Sequence, residues 1–364
     1  MQPPTPAPSA PPKTSIPDNP PPRIINVHEH IQSLREAPKL LAAMDQVGIA
    51  KTVLVGSSWF TITLNQKVGF TRYDQNNEEL LKIVRAYPGR FEAWPTVNPN
   101  DPEKLEKFEQ LVERGATGLK LYLGHGLVKK NAPEYFFHTM ALDDPRMRPL
   151  YAFCQERNVP ICFHVNPGPK TPGFAEEFVA VLSAYPDLKV ICPHFMLSSI
   201  KESRLREFLD TFPNLYTDIS FGHDDYLRDG LRRVSKDTPV FRKLIADYPD
   251  RFMFGTDVVV TEARFKTTPW MMDRCRAYID LMTKEDYTTP LLPDETLNGL
   301  ALSGDLLEKL LHQNFEAFQA KQPQGTQITR QIDWNNMGLP KTGRAPGTAL
   351  PAPRQEAIPK PVAP

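Results

Sequence analysis

The chain has no excess of charge of either sign: Lys+Arg and Asp+Glu each total 43 in 364 residues. Without a basic field there is nothing to hold nucleic acid or an anionic membrane, and neither partner is expected. No run of about 18 apolar residues occurs, so no membrane span is expected. Met1 leads into prolines without a basic and then apolar segment, so the chain as given carries no address. A Pro-rich stalk also commonly follows a removed export signal, which leaves a cytoplasmic and a secreted or envelope-tethered reading open. The cysteines are few, Cys154, Cys162, Cys192 and Cys275, with no CxxC spacing and no pattern of a disulfide framework. Cys162 and Cys192 each stand two positions before a strand-end histidine, which predicts that both thiols point into the interior as apolar filler.

Proline is abundant instead, with ten in the first 22 residues and a second enriched stretch from Leu339 to Pro364. Such segments bury too little apolar surface to offset the entropy of ordering. The expected division is a Pro-rich tail over 1–22, one domain over 23–320 and a Pro-rich tail over 321–364. Within 23–320, short β-branched runs alternate with amphipathic stretches of helical period. Strands are predicted at 24–28, 51–56, 91–97, 116–122, 159–164, 188–194, 215–219 and 251–257. Helices are predicted at about 36–48, 74–87, 101–114, 145–157, 173–185, 199–212, 239–248 and 304–319. Asp101-Pro102 and Asp144-Pro145 look like helix starts, and Tyr87-Pro88, Tyr185-Pro186 and Tyr248-Pro249 like stops.

Eight βα units close into a (β/α)8 barrel, whereas an open doubly wound sheet needs a glycine-rich first turn that is missing after His30. Three connections, 123–144, 220–238 and 258–303, are too long for simple βα loops and are expected to rise over the strands' C-terminal ends. The last of them, with Trp270, Met271, Met272 and Tyr278, is partly helical by pattern and reads as a lid with an apolar face at Trp270, Met271 and Met272.

Several strands end in residues that bind metals or move protons, as the catalytic face of such a barrel requires. His28 and His30 share a strand face, and His164 and Asp257 add a third imidazole and a carboxylate. That set suits one divalent ion, Zn2+ first, with Mn2+ or Fe2+ as alternatives, and leaves a position for water.

His28-Glu29-His30, His164, His194, Gly255-Thr256-Asp257 and the closing Leu310-Leu311-His312-Gln313-Asn314-Phe315 together resemble the metal-dependent amidohydrolase superfamily. The likeness is closest to the amidohydrolase-related, aminocarboxymuconate-semialdehyde-decarboxylase-like branch. The resemblance implies that His28, His30, His164 and Asp257 hold the metal, that Asp257 is the base and that His194 bonds the water or the reacting oxygen. The position two before His28 is often Asp in this family and is Asn26 here. Lys120 matches a lysine that is carboxylated in binuclear relatives; carboxylation, substrate binding by a free ammonium and a structural ion pair all stay open, and one metal is expected.

Trp59, Phe60, Tyr122, His125, Asn166, Phe221, His223 and Arg264 lie on the same rim and suggest an aromatic-lined substrate pocket. His138 and His312 are assigned no chemistry. The expected activity is hydrolysis of a small lactone, amide or ester through a metal-activated water. The alternatives are non-oxidative decarboxylation of an aromatic or enoic acid and a non-catalytic binding protein on the same fold. The expected partner is a small-molecule substrate, and a homodimer is compatible with the sequence.

Overall fold

The computed structural model describes residues 23–58, 70–123, 126–127, 135–136, 140–165, 172–196, 202–339 and 341–343. Eight parallel strands are present: β1 (Ile24–Glu29), β2 (Ile49–Val55), β3 (Phe91–Trp94), β4 (Leu119–Leu121), β5 (Ile161–Phe163), β6 (Val190–Ile191), β7 (Leu215–Asp218) and β8 (Phe252–Met253). They pair in order as β1-β2-β3 and β4-β5-β6-β7-β8. Two junctions close the ring. Thr117 N donates to Ala93 O at 3.0 Å and Lys120 N to Pro95 O at 2.8 Å, while Val27 N donates to Phe254 O at 2.9 Å. The result is the (β/α)8 barrel that the alternation predicts.

The ring helices are α1 (Ala37–Val47), α2 (Tyr73–Ala86), α3 (Lys104–Glu113), α4 (Arg148–Glu156), α5 (Pro172–Ala184) and α6 (Glu202–Thr211), followed by α7 (Asp224–Lys236) and α8 (Thr238–Asp247). The predicted stops hold: α2, α5 and α8 end immediately before Tyr87, Tyr185 and Tyr248. Ile25, Val27, Val53, Val55, Trp94, Cys162, Ile191, Tyr216 and Met253 fill the barrel, while the other strand faces pack against the helices. Cys162 is inside as expected. Cys192 is not: Ile191 takes the interior position, so by alternation Cys192 packs in the layer between strands and helices.

The long connections hold more regular structure than expected, and the third is partly helical as its pattern predicts. Residues 220–238 contain α7, a 13-residue helix. Residues 258–303 form α9 (Thr268–Thr283) and a hairpin of β9 (Asp286–Thr289) and β10 (Leu292–Asn298). The signal for α9 is Thr267-Thr268-Pro269: the Thr267 side chain accepts from Trp270 N, and Pro stands in the first turn. Helix α9 packs along α1, with Met271 buried, so it completes the helical ring and does not cover the mouth. Of 123–144, the described parts include an antiparallel pair, Gly126–Leu127 with Tyr135–Phe136.

The closing helix, α10, runs from Gly304 to Ala320 through a π turn at Lys309–Gln313. Leu310 O there accepts from Phe254 N at 2.9 Å, and Asn314 Nδ2 donates to Pro249 O and Phe252 O at 2.8 Å each. Phe315 and Phe318 join the interior cluster, so α10 plugs the end of the barrel opposite the strand C-termini. Residues 321–339 and 341–343, expected as part of an extended tail, pack on the barrel. The Asp187 carboxylate accepts from the backbone of Gln324, Gly325 and Thr326, Arg330 pairs with Glu207 at 3.0 Å, and Met337 and Leu339 are buried. The short helix α11 (Trp334–Met337) lies against α6.

Candidate metal centre

The first strand does not deliver its histidines by simple alternation. Ile25 and Val27 face the interior, and a register shift between Asn26 and Glu29 brings His28 and then His30 inward as well. His164 follows Cys162 by two and lies on the same inner face. His194 would point outward with Cys192. Instead, His194, Phe195 and Met196 all adopt left-handed backbone angles, with φ of 64°, 52° and 52°, and this turn carries the imidazole back over the barrel. Asp257, at φ 50°, lies in a similar turn after β8.

The nearest ligand atoms of His28, His194 and Asp257 lie within 4.8 Å of one another, all on buried residues. His30 Nε2 is 3.5 Å from Asp257 Oδ1, His28 Nε2 3.9 Å from the same oxygen, and His194 Nε2 3.7 Å from Asp257 Oδ2. The His164 ring lies 5.1 Å from that of His194, centroid to centroid. His194, read from sequence as a catalytic group, therefore stands in the same cluster as His28, His30 and Asp257.

The outer nitrogens fix the tautomers. His28 Nδ1 is 2.9 Å from Asp218 Oδ2, a carboxylate that only accepts. His30 Nδ1 is 3.1 Å from Val55 O and 2.5 Å from Ser57 Oγ. His194 Nδ1 is 2.7 Å from Ser220 Oγ, whose own proton goes to Asp218 Oδ1 at 2.6 Å. Each Nδ1 is therefore the protonated nitrogen, and each Nε2 turns a lone pair toward Asp257. Asp257 Oδ1 is buried and accepts no hydrogen bond. Three lone pairs facing a carboxylate with no proton between them is an arrangement that a cation resolves, so these residues fit a metal ion.

Burial pushes the Asp257 carboxyl up, against the pull of His28 and Lys120. Burial first, then His28 and Lys120, hold the His30 imidazole well below 6.5, which keeps it neutral. At Asp218 burial also acts upward, but His28 and His194 outweigh it and hold the carboxyl well below the usual range. Asp218 further accepts from the backbone of His194 at 2.9 Å and of Ser220 at 3.0 Å. It is the organiser of the site, and the sequence reading passed over it. The signal was present: Asp218 stands two positions after Tyr216, which lines the interior.

Lys120 is fully buried, with Nζ 3.3 Å from His28 Nε2, 3.4 Å from Cys162 Sγ and 5.3 Å from the centre of the Tyr122 ring. Among the described residues no carboxylate lies within 4.0 Å of it, which leaves the structural ion pair without support. Tyr122 donates its hydroxyl to Gly56 O at 2.6 Å, and its ring stacks on His30 at 6.5 Å and meets Phe70 edge-on at 6.3 Å. Phe221 packs between Phe195 and Tyr278.

His223 and Arg264 are exposed. The basis for placing Arg264 on a substrate is thus gone, because the segment it belongs to turns away to begin α9. The cation that this segment sends inward is Lys266, whose Nζ donates to Val259 O and whose ammonium burial lowers to about 8. His312 bridges Glu308 and Glu316 at 3.0 Å each along α10. Trp59, Phe60, His125, His138 and Asn166 lie outside the described residues.

The family model described as Amidohydrolase matches residues 42–318. The chain belongs to the amidohydrolase family. No curated protein matches it. Among solved structures it resembles a candidate 2-pyrone-4,6-dicarboxylic acid hydrolase from Pseudomonas putida, at 17% identity and a TM-score of 0.53, over 82% of this chain and 97% of that one. It also resembles a candidate amidohydrolase from Staphylococcus aureus, at 14% identity and a TM-score of 0.52, over 82% and 100%. A third is the 2,6-dihydroxybenzoate decarboxylase from Rhizobium, at 16% identity and a TM-score of 0.50, over 82% and 98%. At these identities the likeness concerns the fold. Among the described residues no helix is long and apolar enough to cross a membrane.

Proposed function

We propose that the chain is a metal-dependent hydrolase of small carbonyl compounds, a lactone, amide or ester, with one divalent ion, Zn2+ as the first expectation. The observation that carries this reading is the convergence of the Nε2 lone pairs of His28, His30 and His194 on Asp257, whose Oδ1 is buried and accepts no hydrogen bond. His28, His30, His164 and Asp257 would hold the ion. When bound, it supplies Lewis-acid polarisation of a carbonyl and acidification of water. Asp257 takes the proton of the attacking water and later returns it to the leaving oxygen or nitrogen. His194 Nε2, with its lone pair inward, accepts a hydrogen bond from the same water and sets its direction.

Non-oxidative decarboxylation of an aromatic or enoic acid is the runner-up, since the same ion would hold a substrate carboxylate. The test is turnover of a panel of lactones, esters, amides and aromatic acids in 18O water with metal-loaded protein. Incorporation of 18O into an acid product is expected, and carbon dioxide release without 18O incorporation would replace hydrolysis with decarboxylation.

A further inference from the structure

Glu29 lies between two of the histidines yet turns away from them, and the reading above gives it no part. Its carboxylate is completely buried. It accepts four hydrogen bonds: from His30 N at 2.9 Å, Thr256 Oγ1 at 2.8 Å, Val259 N at 2.8 Å and Val258 N at 3.3 Å. Three of these donors belong to residues 256–259, the turn that carries Asp257. Asn26 holds the same turn from the other side. Its Oδ1 accepts from Thr256 N at 3.1 Å, and its Nδ2 donates to Thr256 Oγ1 at 2.7 Å.

That turn cannot hold itself. Asp257 and Val259 have φ of 50° and 59°, a region unfavourable to an L-residue, and Val259 is β-branched. Backbone bonds from Asp257 N to His28 O and from Val260 N to His30 O fix the two ends, 2.8 Å and 2.7 Å long. Among the described residues, the N–H groups of Val258 and Val259 between them find their acceptor only in Glu29. A glutamate carboxylate has the capacity for this set, since both oxygens accept and neither carries a proton when ionised. An amide at the same place would turn a donor toward at least one of the donors it faces.

We propose that Glu29 is a positioning residue for Asp257: it clamps the strained turn after β8 and so sets the Asp257 carboxylate against the three imidazole nitrogens. The middle residue of the His-x-His pair thereby joins the end of the first strand to the end of the last, across the seam at which the barrel closes. This inference rests on Asp257 belonging to the metal centre.

The test uses Co2+ as the probe, because its affinity and visible spectrum report ligand geometry without any substrate. Wild type, Glu29→Gln, Thr256→Val, Asp257→Asn and the Glu29→Gln/Asp257→Asn double variant are titrated as full chains, with far-UV circular dichroism as the check on folding. Glu29→Gln is expected to weaken Co2+ binding about 10-fold or more and to shift the absorption bands with secondary structure retained. Thr256→Val, which removes one clamp donor and leaves Glu29 in place, changes both in the same direction and carries the test should Glu29→Gln fail to fold. In the Asp257→Asn background, Glu29→Gln is expected to add nothing. An unaltered affinity and spectrum in both Glu29→Gln and Thr256→Val, or an equal loss with and without the Asp257 carboxylate, overturns the inference and leaves the metal reading standing. A wild-type chain that binds no Co2+ overturns the metal reading itself, and with it the role given to Glu29.

Discussion

At the scale of single residues, the site is decided by what stands behind the ligands. Asp218 takes the outer nitrogen of His28, the backbone of His194 and the hydroxyl that orients the His194 ring. Replacing it with Asn keeps the shape and removes one acceptor oxygen, so the His28 or Ser220 bond fails. Asp218→Asn is expected to lower divalent-ion affinity about 10- to 100-fold with the fold retained, as measured by equilibrium dialysis. Gly222 makes a second point. Its φ is 79°, and a Cβ there would sit 3.0 Å from Asp257 Oδ2. Gly222→Ala should cost roughly 1–2 kcal/mol of stability from backbone strain and displace Asp257, seen as a lower denaturant midpoint and an altered Co2+ spectrum. The metal-binding residue types at strand ends were legible from the chain. The supporting Asp218, Ser220 and Ser57 were less so, because short polar residues at strand ends occur for many reasons.

At the scale of elements, the eight strands and most helices follow from periodicity, and the Tyr-Pro stops mark three helix ends to within one residue. The segment after β8 was misread because an apolar face of Trp270, Met271 and Met272 was taken to cover the pocket, whereas α9 turns it toward α1 and the ring. That leaves α10, whose pattern alone would equally suit a ring helix, to close the far end of the barrel. Phe318 is the measure of this role: it is buried against Tyr216 with ring centroids 4.8 Å apart. Phe318→Ala is expected to cost about 3–5 kcal/mol in urea unfolding, with Co2+ affinity little changed because the plug and the mouth are at opposite ends.

At the scale of the whole molecule, residues 321–339 and 341–343, beyond the barrel helices, are part of the folded body. Truncation after Ala320 removes the Asp187 and Glu207 contacts and the buried Met337 and Leu339, and a clear fall in melting temperature is expected. The buried amines give a pH signature. Lys189, whose Nζ donates to Gln319 O and Lys321 O at the plugged end, is held at about 8, as is Lys266, each mainly by burial. Between about 8 and the ordinary lysine value of 10.5, the unfolded chain binds protons that the folded chain has lost, so each amine makes stability rise with pH. The buried thiols, raised by burial, act oppositely above their ordinary 9.0. The readout is therefore the difference between wild type and Lys189→Met: unfolding free energies measured from pH 7.5 to 9 should rise less steeply, or fall more steeply, in the variant.

The sequence by itself determined the barrel, the order of its strands and the residue types at their ends, because alternation, helical period and Tyr-Pro punctuation are local properties of the chain. It did not determine which way His194 faces. Strand phase would send that ring outward, and only the left-handed turn at 194–196, held by bonds from His194 N to Asp218 and Met196 N to Thr217, brings it in. Nor could it show that Glu29 reaches residues 256–259. That contact exists because closing the barrel sets the first strand beside the last, which no local pattern records.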